Sequence, residues 1–275
     1  MKFLRFLFFL CLIFLVCFFY TGGTELLDTQ SFNNVKNQLS LIITPSKQQP
    51  ASEGLPQKSE DVSPQISTFD RISRVIFLKR AVNRAINKKN YIPLDQIALP
   101  VQEAIIAVED NRFYSHHGFD MEGIMRATLV NLQYGKIEEG ASTITQQLVK
   151  NLFLSHERSF GRKAEELVLA VDMELNYSKN EILELYLNTI YFGSDYYGIS
   201  QASAGYFDKK PSALSLPEAA MLAGLPNAPS LYSPYVDFLM AKKRQFIVLN
   251  AMVRTGYISD LTAENAKIKP IYLAH

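Results

Sequence analysis

The chain has 275 residues, 28 Lys and Arg against 27 Asp and Glu, 48% hydrophobic residues and no Trp. These totals exclude a wholly disordered chain, a collagen-like fibre and a disulfide-dense mini-protein. The near-zero net charge hides a sorted distribution: residues 71–90 hold seven basic and no acidic residues, whereas 91–275 hold 16 basic and 21 acidic.

Residues 6–20 are unbroken apolar sequence, preceded by Lys2 and Arg5. With its flanks the run reaches roughly 20 residues, about 30 Å as a helix, enough to span a bilayer. A cleaved signal peptide is the alternative, but no A-x-A pattern follows the run, so residues 1–23 are read as an uncleaved anchor. Basic residues on its N-terminal side predict a cytoplasmic N-terminus and an exported remainder. Both cysteines, Cys11 and Cys17, lie inside the run, so the exported part must be held by packing rather than disulfides. Residues 24–70, with Pro45, Pro50, Pro56 and Pro64 among Ser and Gln, read as an extracytoplasmic linker, largely disordered. In residues 71–90, Ile72, Val75, Ile76, Val82 and Ile86 recur at helical spacing among basic residues. That is the pattern of a basic amphipathic helix, lying near an anionic leaflet or simply solvated.

Residues 91–275 suit one compact domain with its own core. Past Pro100 the periodicity is almost wholly helical. Val101, Ala104, Ile105 and Val108 form one stripe, and Ile144, Leu148 and Leu152 a second. Leu167, Val168, Val171 and Leu175 form a third, and Ile182, Leu183, Tyr186 and Leu187 a fourth. The fold class is mainly α.

Three clusters carry chemistry. Glu109 and Asp110 end the first stripe, where the negative end of a helix dipole disfavours ionisation and moves a carboxyl towards general-base range. A solvated acidic pair is the plainer reading of those two residues alone. His116 and His117 near Asp120 suggest a metal only weakly, because adjacent histidines do not readily share one ion. In the second cluster Thr143 and Gln146 have capping-box spacing. Thr143, Gln147 and Lys150 then fall on one polar stripe, suited to a sugar phosphate, with Ser142 and Asn151 at its ends. In the third, Arg162 and Glu166 are an i, i+4 pair, which is either a surface salt bridge or part of a phosphate cradle with Arg158 and Lys163.

Taken in order, these segments resemble the family 51 peptidoglycan glycosyltransferases, the monofunctional type and the matching half of class A penicillin-binding proteins. Glu109, Asp110, Phe113, His116 and Gly118 are similar to the first family motif. Gly140, Ser142, Thr143, Thr145, Gln146 and Gln147, with Lys150 and Asn151, are similar to the second, and Arg162, Lys163 and Glu166 to the third. Glu181, Glu184, Tyr186, Leu187 and Asn188, followed by Tyr191, Phe192 and Gly193, resemble the fourth. Tyr206, Phe207, Pro217, Glu218, Gly224 and Pro226 resemble the fifth. The match runs over about residues 95–235.

The resemblance implies a lysozyme-like α lobe and a smaller membrane-associated lobe, preceded by a single N-terminal transmembrane helix. Residues 119–132, with Phe119, Met121, Ile124, Met125, Leu129 and Leu132, are the candidate for the smaller lobe. The implied reaction polymerises lipid II into glycan strands, with inversion at the anomeric carbon and release of polyprenyl diphosphate. Glu109 takes the position of the base and Glu166 that of a second essential carboxylate, which orients the diphosphate or holds Mg²⁺ or Mn²⁺. Lys150, Arg158, Arg162 and Lys163 are matched to the diphosphate. Ser142, Thr143, Gln146, Gln147 and Asn151 are matched to the rest of the substrate. Asp110, Phe113, His116, Gly118, Tyr186 and Asn188 are motif positions with structural roles.

The implied location is the outer face of a bacterial cytoplasmic membrane. The implied partners are lipid II, the growing strand and other cell-wall enzymes such as transpeptidases; nucleic acid is not among them. No Ser-x-x-Lys occurs, which points to the monofunctional type. Two other readings stay open. A lytic, lysozyme-like glycan-cleaving enzyme would also use one Glu, but needs no diphosphate cradle. A catalytically inactive membrane-anchored scaffold would not need Glu109 or Glu166.

Overall fold

A computed structural model describes residues 74–134, 142–154 and 160–274. The apolar run of residues 6–20, the linker up to residue 70 and Arg158 lie outside the described residues. Among those described, no helix is long and apolar enough to cross a membrane. Among the described residues eleven α-helices are named in order: α1 (Leu78–Ala85), α2 (Leu99–Glu109), α3 (Met121–Tyr134), α4 (Ile144–Phe153), α5 (Phe160–Asn176), α6 (Lys179–Thr189), α7 (Gly198–Phe207), α8 (Leu216–Gly224), α9 (Pro229–Tyr232), α10 (Phe238–Arg254) and α11 (Asp260–Ile268). The only β pairing among the described residues is an isolated antiparallel bridge between Tyr191 and Tyr197. The mainly α class expected from periodicity is what the structure contains.

The chain divides into two compact units, Met1–Ile72 with Glu157–Glu165, and Ser73–His156 with Glu166–His275. The boundary falls inside α5. In the second unit α8 is the central helix, packed on both α2 and α10. Its run of Ala219, Ala220, Met221, Leu222 and Ala223 is buried all round, as a helix without a polar face must be. Small residues there let α2 approach closely, and α2 contributes Val101, Ala104, Ile105 and Ile106 to the same core. A second packed pair, α4 and α6, buries Ile144 and Leu148 against a neighbour that buries Ile182, Leu183, Tyr186 and Leu187.

Helix starts follow one local rule. Thr143, Ser178 and Ser215 each cap a helix in a reciprocal box with Gln146, Glu181 and Glu218. Each box satisfies two backbone donors that the first turn leaves without a partner.

Two stripes differ from expectation. On α5 the buried face is Glu166, Leu169, Ala170 and Met173, while Leu167, Val168 and Val171 are half-buried and Leu175 is exposed. Both sets have helical spacing; the loop at Gly118 lies against the Ala170 backbone, on the buried face. In the 71–90 segment the expected single helix is interrupted: residues 74–76 are helical, Phe77 forms a turn, and α1 follows. Leu78 and Val82 of α1 point into the core, Val75 and Ile76 are exposed, and α1 packs on α4. Arg74 donates to the Phe153 carbonyl at 2.7 Å.

Candidate active site

Glu109 is the last residue of α2, and Asp110 leaves the helix with an extended φ of −159°. The two adjacent carboxylates then meet different surroundings. Asp110 Oδ2 accepts from the backbone N–H of Ile144 at 2.9 Å, joining the end of α2 to the start of α4. His116 Nε2 faces both Asp110 oxygens at 3.0 and 2.9 Å, so that nitrogen carries the hydrogen. Asp110 is spent on structure.

The loop that follows is fastened to its surroundings. Phe113 is fully buried, with the Lys179 ammonium 4.5 Å from its ring centre. Thr143 Oγ1 donates to the Gly118 carbonyl at 2.7 Å. Gly118 has φ +92°, and a Cβ there would lie 2.9 Å from backbone atoms of Ala170, so this position requires glycine. Asp110, Phe113, His116 and Gly118 therefore hold the turn that presents Glu109.

Glu109 has one oxygen engaged and one not. Gln147 Nε2 donates to Oε2 at 2.8 Å, while Oε1 is enclosed and has no hydrogen-bond partner among the described residues. The Tyr186 hydroxyl donates to Gln147 Oε1 at 3.0 Å, which fixes the amide with its nitrogen towards Glu109. Burial pushes the Glu109 carboxyl above the usual range; the Gln147 bond and the charge of Arg244 lower it, and Asp110 raises it. The Tyr186 phenol is held well above its usual value by burial and by the charges of Glu109 and Asp110, so it stays a neutral donor.

The other motif residues are placed as follows. Thr143 and Gln146 are buried and use their side chains in the cap. Ser142, Lys150 and Asn151 are exposed, and Gln147 is half-buried. On α5, Glu166 is 3% exposed, Arg162 half-buried and Lys163 exposed; Arg162 and Lys163 belong to the first compact unit. Asn188 acts on the chain leading into α2: its amide pairs with both backbone groups of Ile92 at 2.8 Å. Glu184 adds bonds from the Tyr91 hydroxyl at 2.8 Å and the Leu94 N–H at 2.7 Å. Among the described residues no three of His, Cys, Asp and Glu gather to hold a metal ion.

Sequence reasoning missed Arg244. It sits on α10 with Nε donating to the Gly224 carbonyl at 3.3 Å and its guanidinium 5.7 Å from the Tyr232 ring centre. A Cβ on Gly224 would fall 2.7 Å from Arg244 Cγ. The signal lay in α10's buried stripe of Ala241, Gln245, Val248, Leu249 and Met252, which puts Arg244 at the core's edge and Lys243 outside.

An enclosed carboxylate at a helix end, aimed by an amide from a polar helix stripe, has the chemistry to accept a proton. The profile of the transglycosylase family matches residues 78–253, and the chain belongs to that family. Penicillin-binding protein 1A of Aquifex aeolicus is 46% identical over 186 residues, 68% of this chain and 26% of that protein. Penicillin-binding protein 1A of Neisseria flavescens is 48% identical over 172 residues, 62% of this chain and 22% of that protein. Penicillin-binding protein 1F of Bacillus subtilis is 46% identical over 176 residues, 64% and 25%. The chain spans about a quarter of the length of these relatives.

Proposed function

We propose that this chain is a peptidoglycan glycosyltransferase that polymerises lipid-linked disaccharide-pentapeptide into glycan strands. The observation that carries the reading is the Glu109 carboxylate, enclosed, with Oε2 held by Gln147 and Oε1 without a protein partner. The Glu109 carboxylate takes the proton of the acceptor sugar's 4-hydroxyl. That oxygen bonds to the donor's anomeric carbon from the face opposite the leaving group, and the C1–O bond to the diphosphate breaks. The electron pair leaves on polyprenyl diphosphate, and the configuration inverts. A positioned base of this kind contributes about 10²–10⁴-fold.

Lys150, Arg158, Arg162 and Lys163 are the cations assigned to the departing diphosphate. Ser142, Gln147 and Asn151 are assigned to substrate contacts, with Thr143 and Gln146 holding the helix start from which these residues project. Glu166 orients the diphosphate end. A Mg²⁺ or Mn²⁺ ion, in this reading, takes most of its ligands from the diphosphate and water, and the base chemistry of Glu109 does not depend on it.

We read the Glu109 unit as a lysozyme-like lobe and α3 as the membrane-associated part. Met121, Met125, Leu129 and Leu132 lie on α3 with exposures from 59% at Met121 to 74% at Leu132. Together with the apolar run of residues 6–20, this face supports a location at a membrane surface, on the side where lipid-linked substrate and other cell-wall enzymes are met.

The test is to incubate the purified protein in detergent with lipid-linked disaccharide-pentapeptide and Mg²⁺ and separate the products by size. A muramidase-sensitive ladder is expected. Shortening of pre-made strands instead would mean a lytic enzyme, and neither activity from folded protein would mean a scaffold.

A further inference from the structure

One cleft in the second unit contains, of the residues assigned to substrate above, only Asn151. Its volume is about 320 Å³, and its walls come from the ends of α1, α4 and α6 and the start of α7. No Asp, Glu, Lys or Arg lines it. Its polar groups are the amides of Asn87, Asn90, Asn151, Asn188 and Gln201 and the Thr189 hydroxyl, beside the aromatic ring of Tyr197. Asn188 and Thr189 are committed to backbone groups, but much of the hydrogen-bonding capacity of the other four is unspent. Asn87 uses only its oxygen, towards Lys89 N–H, and Gln201 only its oxygen, towards Tyr197 N–H. Asn90 and Asn151 are exposed and make no side-chain bond among the described residues.

Tyr197 is fixed in place although 58% exposed. It forms the β-bridge with Tyr191, and the two rings lie 4.7 Å apart between centres. Gly198 next to it, at φ +78°, passes so near the Asn188 carbonyl that a Cβ would fall 2.5 Å from its oxygen. The ring is thus a pre-set wall that loses little freedom on binding.

We propose that this cleft binds neutral sugar rings of the glycan, holding a strand about one turn of α4 from the reacting centre. The proposal rests on the glycosyltransferase reading for the identity of the glycan. Amides that each offer donors and acceptors match vicinal hydroxyls and acetamido groups, and an exposed ring face matches the C–H face of a pyranose. A phosphate or carboxylate ligand would need a cation, and the lining has none. From Gln147 to Asn151 the helix rises about 6 Å, so a strand in the cleft lies within reach of a chain end at Glu109.

The experiment uses the full chain in detergent and a β-1,4-linked N-acetylglucosamine tetrasaccharide as probe, with binding read by saturation-transfer NMR and calorimetry. Wild type and Glu109→Gln are expected to bind alike, and Tyr197→Ala and Asn90→Ala to bind at least fivefold more weakly with unchanged circular dichroism. Glycan strands made by Tyr197→Ala should be shorter than wild-type strands. Polymerisation by wild type with binding equal in all variants would overturn the cleft and leave the enzyme reading intact. Binding lost in the cleft variants, from a protein that never polymerises, would overturn the enzyme reading and keep the cleft. No binding by wild type would overturn the cleft outright.

Discussion

Helices α2 and α3 are of similar length and both are rich in large apolar side chains, yet they use them in opposite ways. On α2, Val101, Ile105 and Ile106 turn inward onto α8 and α10, and the helix delivers Glu109 into an enclosed place. On α3 the inward positions are the small Gly123 and Ala127, and the large residues Met121, Met125, Leu129 and Leu132 face out. Gly123 is fitted to that inward role, because a Cβ there would meet the Asp120 carboxylate at 2.5 Å. Burying a side chain of this size stabilises by about 1.5–3 kcal/mol, so four left outside form a surface whose gain is realised only against another apolar phase. In this account one helix organises chemistry and the other organises location.

The strongest way to break that division is at Glu109. Glu109→Gln keeps the shape and should lower polymerisation by about 10²–10⁴-fold, measured as initial rate with lipid-linked substrate. The same variant should be more stable than wild type at neutral pH. A carboxyl whose folded pKa is raised weakens the fold as pH rises through the unfolded value towards the folded one, and Gln removes that cost. The advantage should vanish at acidic pH, where the carboxyl is protonated in both states; thermal melts across pH would show it.

On α3, replacing Met125 and Leu129 with Glu should cut binding to phospholipid vesicles by about tenfold or more, since a charge at an apolar membrane surface is costly. The melting temperature should change little, because both side chains are exposed. An equal loss of melting temperature would mean that α3 packs against protein instead. A smaller effect is expected from Thr143→Ala, which loses the cap bond to Gln146 N–H and the bond to Gly118, about 1–2 kcal/mol by denaturant titration.

The finest adjustment is Arg244→Gln, which keeps Cγ against Gly224 but removes the cation that lowers the Glu109 carboxyl. The rate should rise with pH as Glu109 loses its proton, and in this variant that rise should move to higher pH. A limb that stays in place would separate Arg244 from the base.

Much of this was legible in the sequence where one local rule acts alone. The Thr143 box and the stripes on α2, α4 and α6 follow from spacing, and the same Ser-x-x-Glu spacing marks the caps at Ser178 and Ser215. The motif positions around Glu109 were found as a set, but their division of labour was not. Nothing in adjacent Glu and Asp says that one holds the start of α4 while the other keeps one enclosed oxygen without a partner among the described residues. The α5 stripe misled because two apolar sets share helical spacing, and the set at Ala170, against the Gly118 loop, is the buried one. Arg244 and Tyr197 were missed because their placement comes from contacts outside any helical spacing, Gly224 on another helix in one case and the bridge to Tyr191 in the other.

The central claim is tested most directly by titrating the Glu109 carboxyl itself, through the infrared C=O band of the protonated acid in wild type minus Glu109→Gln. The account predicts a band that persists above the pH at which exposed Glu side chains ionise and shifts further up in Arg244→Gln. Ionisation together with the exposed carboxylates would contradict the enclosed base at the end of α2.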